Sequence, residues 1–282
     1  MALFSEELSG DYFIRDFELR PGSEFTDNFL HKGRNLYEVV RVEDRVPLFL
    51  PDHLDRLNNS LQKAGLPSDF SPPKISESLT NLIGAEGIEK GNIKVVFHYG
   101  EKMGTSFFTA YFVAHSYPPQ KKYRKGVKTI TLWEDRPDPE IKNWRPDFRR
   151  RIRNMKASKN VYEVILISEK GFITEGSQSN VFIVRGNTVL TAPAKNVLAG
   201  ITRKYVLDIC RHEHLAIEER DFSYEELTMA DAVFLTGTSP KVLPVSRVDQ
   251  VRFKTGNKLV RTIVSRYDDM IDEYIKLHPY ES

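Results

Sequence analysis

What most constrains this chain is an alternation of short β-type runs with longer helical patterns along 282 residues that contain one cysteine. Cys210 alone provides neither a disulfide framework nor a cysteine-rich zinc module, so stability must come from buried apolar faces. At about 150 residues per domain, the length asks for about two domains, each large enough for its own core. Asp11–Phe17 (DYFIRDF) and Leu36–Val42 (LYEVVRV) have the aromatic and β-branched content of strands, and Val46–Leu50 is a further short run. After Pro51, apolar Leu54, Leu57, Leu61 and Ala64 recur at the three-and-four spacing of one helix face, with Gly65 placed to end it. Ile75–Leu82 predicts a second helix, and Asn92–Tyr99 with Ser106–Ser116 predict two antiparallel strands around a GEKMG turn.

Tyr117–Gly126 (YPPQKKYRKG) reads as a linker because it joins a proline pair to a basic cluster. It divides an N-terminal α/β domain (1–118) from a C-terminal domain (127–282), with residues 119–126 between them. The second half predicts a strand at Val127–Trp133 and a basic helix over Phe148–Asn160. Strand runs follow in Val161–Ser168 and Gly171–Val184, then helix Ile201–His214, a buried strand at Asp231–Thr236 and a terminal helix over Gly256–Leu277. The fold class is therefore α/β or α+β.

Charge excludes little by itself. Forty-one basic against 39 acidic residues leave +2, so nucleic-acid binding would need local clustering. Two clusters exist, at Lys121–Lys128 and Arg145–Lys159. Aromatic interleaving is thin and no nucleic-acid motif accompanies them, which favours a solvated helix face and a charged connection. His212 and His214 are the closest histidines, but alternate positions on a helix diverge and no further ligands cluster there, so no metal is expected. Cys210 falls on the apolar side of its helix and reads as a small core residue. The start, MALFSEELSG, lacks a basic and apolar leader pattern, and no apolar run is long enough to span a membrane. A cytoplasmic protein with no membrane partner is expected.

Two glycine turns carry more information. Gly200 and Thr202 stand at a predicted helix start, where free N–H groups favour an anion. Thr236-Gly-Thr-Ser239 is a hydroxyl-rich turn directly after an apolar strand. Helix caps use the same residue types, so neither decides anything alone. Glu175, between a strand and a Gly-Ser turn, is by itself a surface acid or a site residue.

Together these motifs have a familiar order. ITEGSQSNVF, LAGITR and FLTGTSPKVLPV, preceded by YEVVRV and PLFLPDHLDRL, resemble the fold-type IV enzymes that use pyridoxal 5′-phosphate (PLP). That family includes branched-chain aminotransferases, D-amino-acid transaminases and 4-amino-4-deoxychorismate lyases, and the resemblance runs from about Leu36 to Val248. It implies a two-domain fold, with a smaller N-terminal α/β domain and a larger C-terminal domain built on a β-barrel-like core with flanking helices. It also implies a homodimer with its active site between the domains. By the same resemblance, Glu175 pairs with the pyridine nitrogen, and Arg56, Ile201, Thr202, Gly237 and Thr238 hold the phosphate. The Schiff-base lysine is Lys142, in the Ile-Lys segment before the basic helix; Lys156 and Lys159 lie inside that helix and too close to Glu175.

The implied activity is amino-group transfer between an amino acid and a 2-oxo acid through a pyridoxamine intermediate. The alternative is aminodeoxychorismate lyase activity, which eliminates pyruvate and gives p-aminobenzoate. A non-catalytic, nucleic-acid-binding protein is the remote alternative. Tyr37, Val39 and Arg41 share one strand face. Tyr37 is a candidate substrate-side group because the family usually has an aromatic there; Arg41 is equally a solvent-facing strand residue. D-amino-acid transaminases carry an arginine near the end of the strand that here reads VFHYG, and it is missing. Arg34, Arg41 or His98 is left as a substitute, and the substrate stays open.

Overall fold

The computed structural model describes residues 8–67, 70–101 and 105–280. Its residue contacts divide the chain into two compact units. One comprises Met1–Ser116, Ile141–Pro146 and Ile271–Ser282; the other comprises Tyr117–Glu140 and Asp147–Met270.

The first unit is built on six antiparallel strands: β1 (Tyr12–Arg15), β2 (Glu18–Pro21), β3 (Arg34–Glu43), β4 (Val46–Pro47), β5 (Gly91–Tyr99) and β6 (Phe107–Val113). Their order is β2-β1-β6-β5-β3-β4. Helices α1 (Leu50–Lys63) and α2 (Pro72–Glu86) supply the leucines and isoleucines of the core, where Leu54, Leu57, Leu61, Ile75 and Leu79 meet Leu36, Val40 and Val42 of β3. Thus this face of β3 is apolar between Leu36 and Val42 except for Glu38, with Arg34 at its start. Gly65 follows α1 at φ +64°, a left-handed turn that stops the helix as the sequence suggested. The GEKMG turn overlaps residues 102–104, which lie outside the described residues.

The second unit contains β7 (Val127–Trp133), β8 (Glu163–Ile167), β9 (Ile173–Gly176), β10 (Ser179–Arg185), β11 (Thr188–Thr191), β12 (Ala216–Glu219), β13 (Ala232–Gly237), β14 (Lys241–Val248) and β15 (Val251–Arg252). The path β10-β13-β14-β7-β8-β9 closes on itself because β9 also pairs with β10, making a six-stranded barrel. Closure removes the free edges that an open sheet would expose. Val181, Ile183, Val233, Leu235, Leu243 and Ile165 fill its core. Helices α3 (Gln120–Lys125), α4 (Pro146–Lys159), α5 (Ile201–His212) and α6 (Tyr224–Thr228) belong to this half of the chain, and α7 (Lys258–Leu277) ends it.

The architecture matches the mixed α/β expectation with a barrel in the larger part. Two local features differ from it. Tyr117–Gly126, read as a linker, contains helix α3, closed by Gly126 at φ +69°, where the Tyr123 hydroxyl donates to the Pro240 carbonyl. Ile141–Pro146 groups with the N-terminal strands rather than with the surrounding sequence. Among the described residues, no helix is long and apolar enough to cross a membrane.

Candidate active site

The first set of site residues is assembled on β3. Asn35, Tyr37, Val39 and Arg41 lie opposite His98, Val96, Lys94 and Asn92 of β5, so these eight residues share one face of the sheet. Beside the Asn35–Tyr37 end, the edge of β3 is covered by the segment that carries Lys142. The Tyr37 N–H donates to the Lys142 carbonyl at 3.1 Å, the Trp144 N–H donates to the Asn35 carbonyl at 2.8 Å, and Asn143 forms a single bridge with Leu36. Ile141 anchors the segment in the core. The Lys142 ammonium stands 5.0 Å from the Tyr37 ring centre. Lys94 is buried on the same face, its ammonium 3.4 Å from the Trp144 ring centre and 5.9 Å from that of Tyr37.

Arg56 comes from α1. Its Nε and Nη2 donate to the two oxygens of Glu38 at 2.8 and 2.6 Å, and His53, one turn earlier, contacts the same carboxylate at 2.9 Å. Burial opposes the charge on Glu38, but Arg56, the hydrogen bond from His53 and nearby Lys142 outweigh it and hold the carboxyl well below its usual range. Burial is also the main force on His53 and pushes its pKa down. A neutral His53 beside a carboxylate must donate from Nδ1.

The other three substrate-side candidates of this unit are tied down, Arg34 by donating to the Ala64 carbonyl at 3.4 Å. Arg41 is buried rather than solvent-facing and pairs with Glu43. His98 contacts Asn35 Oδ1 at 2.8 Å and lies among Phe29 and Phe107.

The second set lies in the barrel unit. Along β9, Ile173 enters the barrel core, and strict alternation would send Glu175 the same way. A bulge prevents this: Ile167 pairs with Ile173, but Ile165 pairs with Gly176, so β9 carries an extra residue. Glu175 is thereby turned to the other face, opposite Asn180, which in turn lies opposite Thr236. Glu175, Asn180 and Thr236 thus form a row across three strands, all buried. Arg136 donates to Glu175 Oε1 at 2.8 Å, and the Leu198 N–H donates to Oε2 at 3.1 Å.

Asn180 Nδ2 donates to the Leu198 carbonyl at 2.8 Å, which ties the start of α5 to this row. Gly200 caps α5, and no side chain caps the helix there. A Cβ on Gly200 would stand 2.1 Å from Asn180 Oδ1, so only glycine allows this approach. The N–H groups of Ile201 and Thr202 precede the first bond of the helix ladder, Lys204 N–H to the Gly200 carbonyl. The Thr202 hydroxyl is 3.2 Å from that of Tyr267 on α7. At the end of β13, the Thr236 hydroxyl is buried without a hydrogen-bond partner, next to Gly237 and Thr238.

A model of the class IV amino-transferase family matches residues 35–248, most of the chain. The chain belongs to the class IV aminotransferase family. It is 30% identical to D-alanine aminotransferase of Bacillus licheniformis over 227 residues, covering 77% of this chain and 80% of that one. It is 24% identical to aminodeoxychorismate lyase of Bacillus subtilis over 246 residues, 82% and 83% of the two chains. Among solved structures, the branched-chain amino acid aminotransferase from Thermobaculum terrenum in its PLP-form superposes with a TM-score of 0.82 at 21% identity, covering 94% of this chain and 95% of that one.

The class IV membership agrees with the motif order read from the sequence, and it makes the chain an enzyme. Local motifs pointed to Glu175, Thr202 and Thr238, but not to their supports. Arg136 stands far from Glu175 in sequence and lies in a proline-punctuated loop, with no local pattern to single it out. Asn180 was visible inside EGSQSN, yet its part in tying α5 to the barrel follows only from strand register. Glu38 and His53 stood in full view inside the YEVVRV and HLDRL matches. Their signal was a charge on the apolar face of β3 and a histidine one helical turn before Arg56.

Proposed function

We propose that this class IV enzyme is a PLP-dependent aminotransferase that moves an amino group between an amino acid and a 2-oxo acid. The observation that carries the reading is the buried row Glu175–Asn180–Thr236 with the first turn of α5 fastened to it. That row fits the cofactor by its donor set. A carboxylate suits a protonated ring nitrogen, while free helix N–H groups, a glycine approach and hydroxyls suit a phosphate. The orphaned hydroxyl of buried Thr236 leaves a donor for a bound polar group.

When bound, PLP supplies an aldehyde for amine exchange and a ring that withdraws electrons from the substrate. The chain's residues divide the remaining work. Lys142 would hold the cofactor through Nζ and, as a free amine, would move the proton at the substrate Cα. Glu175, paired with Arg136, would face the protonated ring nitrogen. Ile201, Thr202, Gly237 and Thr238 would bind phosphate, and the family resemblance assigns Arg56, fixed by Glu38, to the same group. Tyr37, beside Lys142, borders the substrate.

The test is borohydride reduction of the holoenzyme followed by peptide mapping, together with amino-donor profiling of both enantiomers. Label on Lys142 and stoichiometric amino transfer are expected. The Lys142→Ala variant should lose about a thousandfold or more in turnover. Label on Lys156 or Lys159, or no cofactor uptake, overturns the assignment. Release of pyruvate and p-aminobenzoate from aminodeoxychorismate, without amino transfer, would favour the lyase.

A further inference from the structure

Glu163, on β8, is a buried carboxylate that the reaction scheme does not use. It is 3% exposed and lies two residues before Ile165, at the end of the barrel core. Three of its four donors come from the turn that follows Glu175. Oε1 accepts from the Ser177 hydroxyl at 2.5 Å and from the Val164 N–H at 2.8 Å; Oε2 accepts from the Ser179 hydroxyl at 3.0 Å and from the Gln178 N–H at 3.3 Å. Its Cγ comes within 3.1 Å of where a Cβ on Gly176 would stand. Gly176 is the residue at which the bulge re-registers β9 against β8. The side chain therefore fills the space the bulge opens, and its carboxylate binds the three residues after it.

We propose that Glu163 is a positioning residue: by clamping Ser177-Gln-Ser179 it holds the β9 bulge and so keeps Glu175 and Asn180 turned out of the barrel toward the cofactor. This inference rests on the reading that Glu175 faces the PLP ring nitrogen. The bond pattern explains why a carboxylate is required. Each oxygen accepts a backbone N–H, which cannot rotate away, as a hydroxyl can. An amide in its place must set its NH2 against one of them. An aspartate is one carbon too short to reach both. A relaxed bulge restores strict alternation and lets Glu175 follow Ile173 inward.

The experiment compares wild type, Glu163→Gln and a Ser177→Ala/Ser179→Ala double variant. Each apoprotein is titrated with PLP, and the visible band of each holoenzyme is followed with pH. Glu163→Gln should raise the Kd for PLP about tenfold or more, the range seen when outer partners of a bound group are removed. It should also move the pH at which the band changes, which general loosening of the fold would not do. The serine double variant keeps both backbone donors and should shift both readouts in the same direction by less. If Glu163→Gln does not fold, that double variant carries the test. Kd and band titration equal to wild type in whichever variants fold would overturn the role of Glu163 and leave the aminotransferase reading intact. A wild type that takes up no PLP removes that reading and this inference with it.

Discussion

Glu38 and Glu175 are both buried acids paired with an arginine, yet their partners arrive by different routes. Glu38 takes its donors from one helix, with His53 and Arg56 a turn apart on α1. Glu175 takes Arg136 and the Leu198 N–H from two separate stretches of chain. The first is a local clamp that a few residues of sequence can encode. The second depends on the barrel being closed and the β9 bulge being in place. A site residue held by distant partners is the one to fail when the fold is perturbed elsewhere.

Removing Glu38 is the most severe way to break that contrast. Glu38→Ala removes the carboxylate that Arg56, whose side chain is 11% exposed, bonds through two nitrogens, and takes away the acceptor of His53. Loss of one partner of a buried ion pair costs about 3–5 kcal/mol, and chemical denaturation should show a loss of that order. A loss below about 1 kcal/mol would show that Arg56 finds another anion and that the clamp is not what holds it.

Glu175→Gln is expected to do less to stability and more to turnover. The amide oxygen can still accept the Leu198 N–H, but the NH2 then faces the Arg136 guanidinium and that charged hydrogen bond is lost, for about 1.5–3 kcal/mol. Turnover should fall by about a hundredfold or more, since the ring nitrogen loses its anionic partner. If stability falls further than in Glu38→Ala, the distinction between a local clamp and a remote one is reversed.

How much of this was legible in the sequence follows the same division. Strand β3, helix α1 and the start of α5 were readable because each is set by local period and by Pro or Gly punctuation. Glu175 was readable because ITEGSQSN is contiguous. Its outward orientation was not, because the bulge is a relation between β9 and β8, and period-two reading puts Glu175 with Ile173. Lys142 was placed by its Ile-Lys context, but nothing local shows Ile141–Pro146 adding itself to the edge of β3. The helix inside Tyr117–Gly126 was hidden for a related reason: two prolines mark a stop, yet Gln120–Lys125 has no Pro or Gly and coils into α3.

pH provides a milder probe of the local clamp. His53 has a lowered pKa in the folded state, so below about 6.5 the unfolded chain binds a proton that the folded one does not. Stability should therefore fall as pH drops through that value, by no more than about 1.4 kcal/mol per pH unit for one proton. Glu38 is also held low, so the stability it contributes is kept until pH falls below about 4.3, where the unfolded carboxylate takes up a proton. Denaturation midpoints at pH 7.5, 6.5 and 5.5 give the first slope. His53→Gln, which retains an N–H donor for Glu38, should flatten it. An unchanged slope in that variant would move the titration to another histidine.

The smallest effect is expected at Ser60, and it asks how Lys142 itself is held. The Ser60 hydroxyl meets the Lys142 N–H at 3.4 Å, a long bond beside the 2.8 Å contact from Trp144 N–H to the Asn35 carbonyl. Hydrogen-bond strength falls with length, and the strand-edge bonds of Tyr37 and Trp144, with Ile141 in the core, already fix the segment. Ser60→Ala should cost under about 1 kcal/mol and change turnover by less than about twofold. Lys142 is then held by backbone pairing, which tolerates side-chain changes around it, whereas Glu175 is held by side chains and a bulge, which do not. A large loss in Ser60→Ala, with stability unchanged, would place Lys142 in the same dependent class as Glu175.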